Sequence, residues 1–151
     1  MADEAATLAL AARLAPLLRP GLRVYLSGEL GSGKTTLVRG MLRALGFAGR
    51  VKSPSYSLVE PYIISSLYFY HFDFYRFHSE AEWTDAGFEE LLDSQAICLV
   101  EWPEKAGALL PLPDVAIAFI PATAGRRVLI AAHSEAGGRC VSALRSRGGS
   151  S

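Results

Sequence analysis

Cysteine is scarce in this chain, and neither sign of charge is in excess. The two cysteines, Cys98 and Cys140, stand far apart. Neither belongs to a C-x-x-C pair, the spacing expected of a structural zinc site. The usage fits a reduced, cytosolic protein. Cys98 lies inside an apolar run and reads as a small hydrophobe. Lysine plus arginine (15) and aspartate plus glutamate (15) balance to a formal net charge of zero. A broad electrostatic grip on nucleic acid needs a basic surface, so direct RNA binding is disfavoured. A role in nucleic-acid metabolism through a partner stays open.

Long hydrophobic runs are also missing. No apolar stretch reaches the roughly 18 residues of a membrane span. The best candidate, ALLPLPDVAIAFI, is interrupted by Pro111, Pro113 and Asp114. The apolar N-terminus places Asp3 and Glu4 where a secretory signal needs lysine or arginine, so it reads as an amphipathic helix. There is no internal repeat. What remains is ordinary globular material: 151 residues, half of them hydrophobic and 20% charged. That suits one domain with a sizeable core, over 1–145, followed by a loose tail at 146–151.

The local pattern alternates strand and helix. Asp3 suits a helix N-cap, and Pro16 should end or kink that helix. RVYLS, 23–27, reads as a strand before a glycine-rich turn. Leu37, Val38, Met41, Leu42 and Leu45 then recur at helical spacing, with Gly46 at the C-terminal cap. Strands are expected over Ser57–Tyr62 and Leu67–Phe77, a helix capped by Ser79, and a helical piece over Phe88–Leu92. AICLV, 96–100, is continuously apolar, as in a parallel strand buried on both faces. Val115–Ile120 and Arg127–Ala132 suggest a hairpin around Gly125. The expected fold is α/β: a three-layer sandwich like that of P-loop NTPases, with a mixed sheet, a parallel core and an antiparallel C-terminal hairpin.

Gly28–Thr35, GELGSGKT, matches G-x-x-x-x-G-K-[ST] without a mismatch, between a strand and an amphipathic helix. Glycines at 28, 31 and 33 let the backbone amides converge on an anion. The helix N-terminus adds partial positive charge. Lys34 is expected to reach the β- and γ-phosphates, Thr35 to offer its hydroxyl to Mg²⁺, and Thr36 to approach the α-phosphate. Glu101 follows the buried strand at its C-terminal end, where α/β sheets place ligands, and is the candidate second magnesium acid. The alternative is a glutamate that merely marks the strand's exit to solvent.

Tyr70–Phe77, YHFDFYRF, is harder to read. Strand alternation puts His71, Asp73 and Tyr75 on one face, and Tyr70, Phe72, Phe74 and Arg76 on the other. The second face is largely aromatic and should pack on the core. His71 and Asp73 would stand about 7 Å apart. From spacing alone, Asp73 is either a site acid or a structural acid bonded to an arginine or tyrosine.

Four segments in order, GELGSGKTT, VKSPSYSLVEPY, HFDFYR and LVEWP, together resemble the bacterial tRNA threonylcarbamoyladenosine biosynthesis ATPases of the TsaE (YjeE) family. The resemblance covers about Glu4 to Arg126. It implies a P-loop ATPase needed for threonylcarbamoylation of tRNA adenosine 37. Such a protein would bind the TsaB–TsaD pair and hydrolyse ATP weakly on its own, resetting the complex between turnovers and meeting tRNA only indirectly. By resemblance, Gly31, Ser32, Gly33, Lys34, Thr35 and Thr36 form the phosphate loop, and Thr35 and Glu101 the Mg²⁺ positions. Asp73 is the essential acid that positions water, and Trp102 a functional aromatic. Glu4 and Arg126 match peripheral nucleotide contacts, and Ser53–Ser55 a switch-like loop. Two departures stand out: Ser55 replaces the family's threonine, and Phe74 a common leucine. A small-molecule kinase on the same fold is the first rival, but no arginine cluster marks a lid. An ATP-switched binding module with negligible turnover is the second.

Overall fold

A computed structural model describes residues 3–54, 57–123 and 125–148. The elements in chain order are α1 (Glu4–Leu14), β1 (Arg23–Ser27), α2 (Lys34–Ala44), β2 (Val59–Ile64), β3 (Leu67–Asp73), α3 (Glu80–Ala86), α4 (Phe88–Asp93), β4 (Ile97–Glu101), α5 (Pro103–Ala106), β5 (Val115–Ala122), β6 (Gly125–Ala132) and α6 (Glu135–Gly148). Asp3 caps α1, its Oδ1 accepting from the Ala6 amide at 2.9 Å. A 3₁₀ turn over Ala15–Leu17 absorbs Pro16. Ser79 caps α3 through a reciprocal box with Glu82, which leaves both exposed amides satisfied.

All six strands form one sheet in the order β2-β3-β4-β1-β5-β6. The central pairs β3–β4, β4–β1 and β1–β5 are parallel, and the outer pairs β2–β3 and β5–β6 antiparallel. Pro61 sits in β2, an edge strand, where a missing amide costs no ladder bond on the open side. The sheet separates two apolar layers. On one face α1, α2 and α6 bury Leu14, Leu37, Met41 and Leu144 against Leu26, Leu99 and Ile117. On the other, Trp83, Phe88 and Leu92 of α3 and α4 cover Phe72, Phe74 and Val100. This is the expected three-layer mixed α/β architecture. Cys98 and Cys140 are free and buried. Burial pushes the Cys98 thiol up to about 12, which keeps it an inert packing group. Among the described residues no helix is long and apolar enough to cross a membrane.

Three local expectations need correction. β3 stops at Asp73 instead of running to Phe77. The Phe74 amide still bonds Glu101 O at 3.1 Å, but Phe77 N then turns back to Phe74 O at 3.0 Å. The Tyr75 amide meets the Asp73 carboxylate at 3.0 Å, a side-chain turn that competes with the strand. β2 begins at Val59, because Leu58 at φ 64° lies outside the strand region. Residues 146–148 continue α6 instead of forming a loose tail, since Cys140, Val141 and Leu144 anchor that helix on the core. Residues 149–151 lie outside the described residues.

α6 also carries two glycines with opposite surroundings. A Cβ at Gly137 would lie 1.8 Å from the Asp114 carbonyl oxygen, while nothing lies within 4 Å of one at Gly138. Close approach of backbone therefore demands glycine at 137 only. Gly137→Ala should lower unfolding free energy by about 3 kcal/mol or more, since α6 must shift to admit the methyl group. Gly138→Ala should raise it by about 0.5–1 kcal/mol. Urea denaturation of the two variants checks both signs.

Candidate functional site

Parallel pairing decides what stands beside what. β1 ends against β4 with Leu26 opposite Glu101, and β3 ends with Asp73 opposite Glu101. The three strand ends therefore open on the same rim, the crevice where α/β sheets hold ligands. A cleft of about 530 Å³ occupies it. Its walls include the loop from Leu30 to Thr36, then Ser53, Pro54, Asp73, Tyr75, Arg76, Glu101 and Trp102.

The loop is built on close backbone contacts. A Cβ at Gly28 would fall 2.8 Å from Ser32 Oγ and 2.9 Å from Phe119 O, so the cradle admits only glycine there. Gly33 begins α2 at φ 118° with no side-chain cap, leaving the first amides of the helix for a ligand. Ser32 Oγ is buried with no hydrogen-bond partner among the described residues. Lys34, only 4% exposed, donates to the carbonyls of Gly28 and, at 2.9 Å, Glu29. Its ammonium also lies 4.1 Å from the centre of the Trp102 ring, a cation–π contact. Burial lowers the Lys34 pKa, opposed by Glu101, Glu104, Asp73 and Glu29.

Glu101 is the central acid, 2% exposed. Thr35 Oγ1 lies 3.0 Å from each of its oxygens, and His71 Nε2 lies 2.6 Å from Oε2. Ser53 Oγ reaches Thr35 Oγ1 at 3.5 Å, tying the segment after α2 to the loop. Glu101 is therefore no solvent-exit residue. The donor set also suits magnesium, a hard cation that takes oxygen ligands and keeps several waters. With its proton committed to Glu101, the Thr35 hydroxyl keeps oxygen lone pairs for a cation. Among the described residues no three or more His, Cys, Asp or Glu side chains cluster into an all-protein cage.

Asp73 stands beside Glu101 on the same rim, its pKa raised chiefly by burial and further by Glu101. The Tyr75 amide, His71 and Lys34 pull the other way. No ion pair joins it to Arg76 among the described residues. The Tyr75 and Trp102 rings pack at 4.9 Å with a 48° tilt, and both line the cleft. Glu4 and Arg126 line a second hollow of about 300 Å³ together with Gly31, Ser32, Gly33 and Thr36. The two hollows share Gly31, Ser32, Gly33 and Thr36 as a common wall. Ser55 lies outside the described residues. The sequence reading missed His71 as a partner of Glu101 and Arg76 as a cleft residue. The H-x-D alternation on one strand face was the signal for His71.

Comparison with known proteins agrees across sequence and structure. The family model for the threonylcarbamoyl adenosine biosynthesis protein TsaE matches residues 1–129. A tRNA threonylcarbamoyladenosine biosynthesis protein TsaE of Haemophilus influenzae is 41% identical over 123 residues, covering 82% of this chain and 78% of that one. The corresponding protein of Treponema pallidum is 34% identical over 116 residues, covering 77% and 85%. A crystal structure of YdiB from Bacillus subtilis superposes with a TM-score of 0.82 at 26% identity, over 98% of this chain and 93% of that one.

The environment of Asp73 makes a stability prediction. Its folded pKa lies above the ordinary 3.8, so folding favours the protonated form. The stabilisation is complete below that value and is lost as pH rises through the folded pKa. Asp73→Asn, which keeps the acceptor for the Tyr75 amide, should therefore melt above the parent at pH 7. The gap should close as pH falls below the ordinary value of 3.8. Thermal melts across that range check it; a constant gap would show that burial of the charge is not the cause.

Proposed function

The chain belongs to the TsaE family of threonylcarbamoyl adenosine biosynthesis proteins, and from that premise we propose that it is a Mg²⁺-dependent ATPase acting in tRNA modification. The observation that carries the proposal is one cleft walled by a phosphate loop, a Thr35–Glu101 hydrogen bond and a half-buried Asp73. The orphaned Ser32 hydroxyl and the uncapped start of α2 are polar groups that a phosphate would satisfy.

ATP would lay its β- and γ-phosphates against the amides of 31–35. Lys34 would exchange its contacts with the Gly28 and Glu29 carbonyls for phosphate oxygens. Thr35 and Glu101 would hold Mg²⁺. When bound, that ion supplies charge neutralisation on the β- and γ-phosphates. Asp73 would orient the attacking water, accepting a hydrogen bond from it; its raised pKa makes it a better proton acceptor than an exposed aspartate. Trp102 and Tyr75 would exclude bulk water from the outer wall. Glu4 and Arg126, across the loop, suit the ribose and base end of the same ligand. Weak turnover alone and stimulation by a TsaB–TsaD pair complete the proposal, with tRNA engaged through those partners.

Two variants test it. Lys34→Ala should weaken ATP binding by about tenfold or more, read by calorimetry. Asp73→Ala should bind ATP with near-parental affinity and lose about 100-fold in phosphate release. Phosphate release measured with and without TsaB–TsaD, beside a screen for phosphoryl transfer to nucleosides and sugars, separates the ATPase from a kinase and from a switch that barely turns over. Unchanged affinity in Lys34→Ala would remove the loop from the site.

A further inference from the structure

His71 has no place in the mechanism above, and it does not line the cleft. Its side chain is 1% exposed, on β3 between β2 and β4. Its strand neighbour Phe69 and its register partner Leu99 are both fully apolar core residues. Packing at this position is therefore served by hydrocarbon. The imidazole instead places Nε2 at 2.6 Å from Glu101 Oε2 and leaves Nδ1 buried with no partner among the described residues. An orphaned buried nitrogen is a cost that a side chain chosen only for packing would not carry. Nor does the contact add much to the sheet, since β3 and β4 are already hydrogen-bonded neighbours in register.

Glu101 is what the contact does act on. The one Thr35 hydroxyl is shared between its two oxygens, and since a carboxylate only accepts, Nε2 is the second donor, on Oε2. A glutamate has three rotatable bonds, and one hydroxyl does not fix it. Two donors from different elements, α2 and β3, do. Side chains that hydrogen-bond a metal-holding carboxylate set its orientation and change metal affinity without touching the metal.

Resting on the Mg²⁺–ATP reading above, we propose that His71 is a positioning residue for the magnesium site, locking Glu101 through Nε2 so that Thr35 and the carboxylate present one fixed geometry to the cation. The histidine acts through Glu101 and touches neither nucleotide nor metal. What it contributes is the coupling between Mg²⁺ and nucleotide.

Three variants of the full chain test this. A glutamine amide reaches the place of Nε2, an asparagine amide only that of Nδ1, and leucine offers no donor. Affinity for a non-hydrolysable ATP analogue is measured by calorimetry with and without Mg²⁺. All three should bind the metal-free analogue like the parent. His71→Gln should keep the parental gain on adding Mg²⁺, whereas His71→Asn and His71→Leu should lose about tenfold of it. A folded His71→Asn with the full gain would overturn the proposal, as would His71→Gln losing as much as His71→Asn. If His71→Leu fails to fold, the glutamine and asparagine pair decides alone. A parent chain that binds the analogue but gains nothing from Mg²⁺ removes the metal reading and this proposal with it. A parent chain that does not bind the analogue at all removes the nucleotide reading first.

Discussion

A carboxylate almost wholly removed from water must have its oxygens occupied, and Glu101 is such a carboxylate. The need constrains much of what surrounds it. Thr35 has to stand at the start of α2, so the loop before it must turn within a few residues of the end of β1. β4 has to lie between β1 and β3, so that donors arrive from both sides. The apolar run before Glu101 then makes sense as the strand that carries the acid into the sheet. Each of these arrangements would be dispensable in a fold that merely packed; together they leave one acid with a fixed direction at the mouth of a cleft.

The segment YHFDFYRF shows how one strand serves two masters. Its aromatic face, with Phe72 and Phe74, packs into a cluster with Trp83 and Phe88, ring centres 5.6 Å apart at the Phe72–Phe88 and Phe74–Phe88 contacts. Those interlocked rings hold the strand rigidly. The opposite face carries His71 and Asp73, and both bear on Glu101, one by a direct bond and one by standing opposite in register. The strand ends at its one acid, Asp73. Asp73 captures the Tyr75 amide, which turns the chain and brings Tyr75 over Trp102. A rigid aromatic backing and an early turn are thus the local reasons that polar groups at this rim stay in place.

Much of this was legible from sequence because it is local. The glycine-rich turn into α2, β1 over Arg23–Ser27 and the Ser79 cap each depend on residues within a few positions of one another. The faces of β3 were legible too, since alternation is a property of any strand. The contacts across the sheet were not. Nothing in the spacing of His71 says that its partner is thirty residues away, because that depends on strand order. The end of β3 was misread because Asp73 looked like a strand residue, when its short side chain competes for the backbone. α6 has no counterpart in the sequence reading, and only the passing carbonyl of Asp114 explains the glycine at 137. Glu4 and Arg126 lie far apart in the chain, and folding brings both to one hollow behind the loop.

The central claim is that the Gly28–Thr36 loop, Glu101 and Asp73 form one Mg²⁺–ATP site. A crystal structure of the chain with Mg²⁺ and a non-hydrolysable ATP analogue tests it most directly. The account predicts the phosphates in the loop, Lys34 moved from the Gly28 and Glu29 carbonyls onto phosphate oxygens, and Mg²⁺ within reach of Thr35 and Glu101. A nucleotide bound elsewhere, or a loop that still holds Lys34 on its own carbonyls, would contradict it.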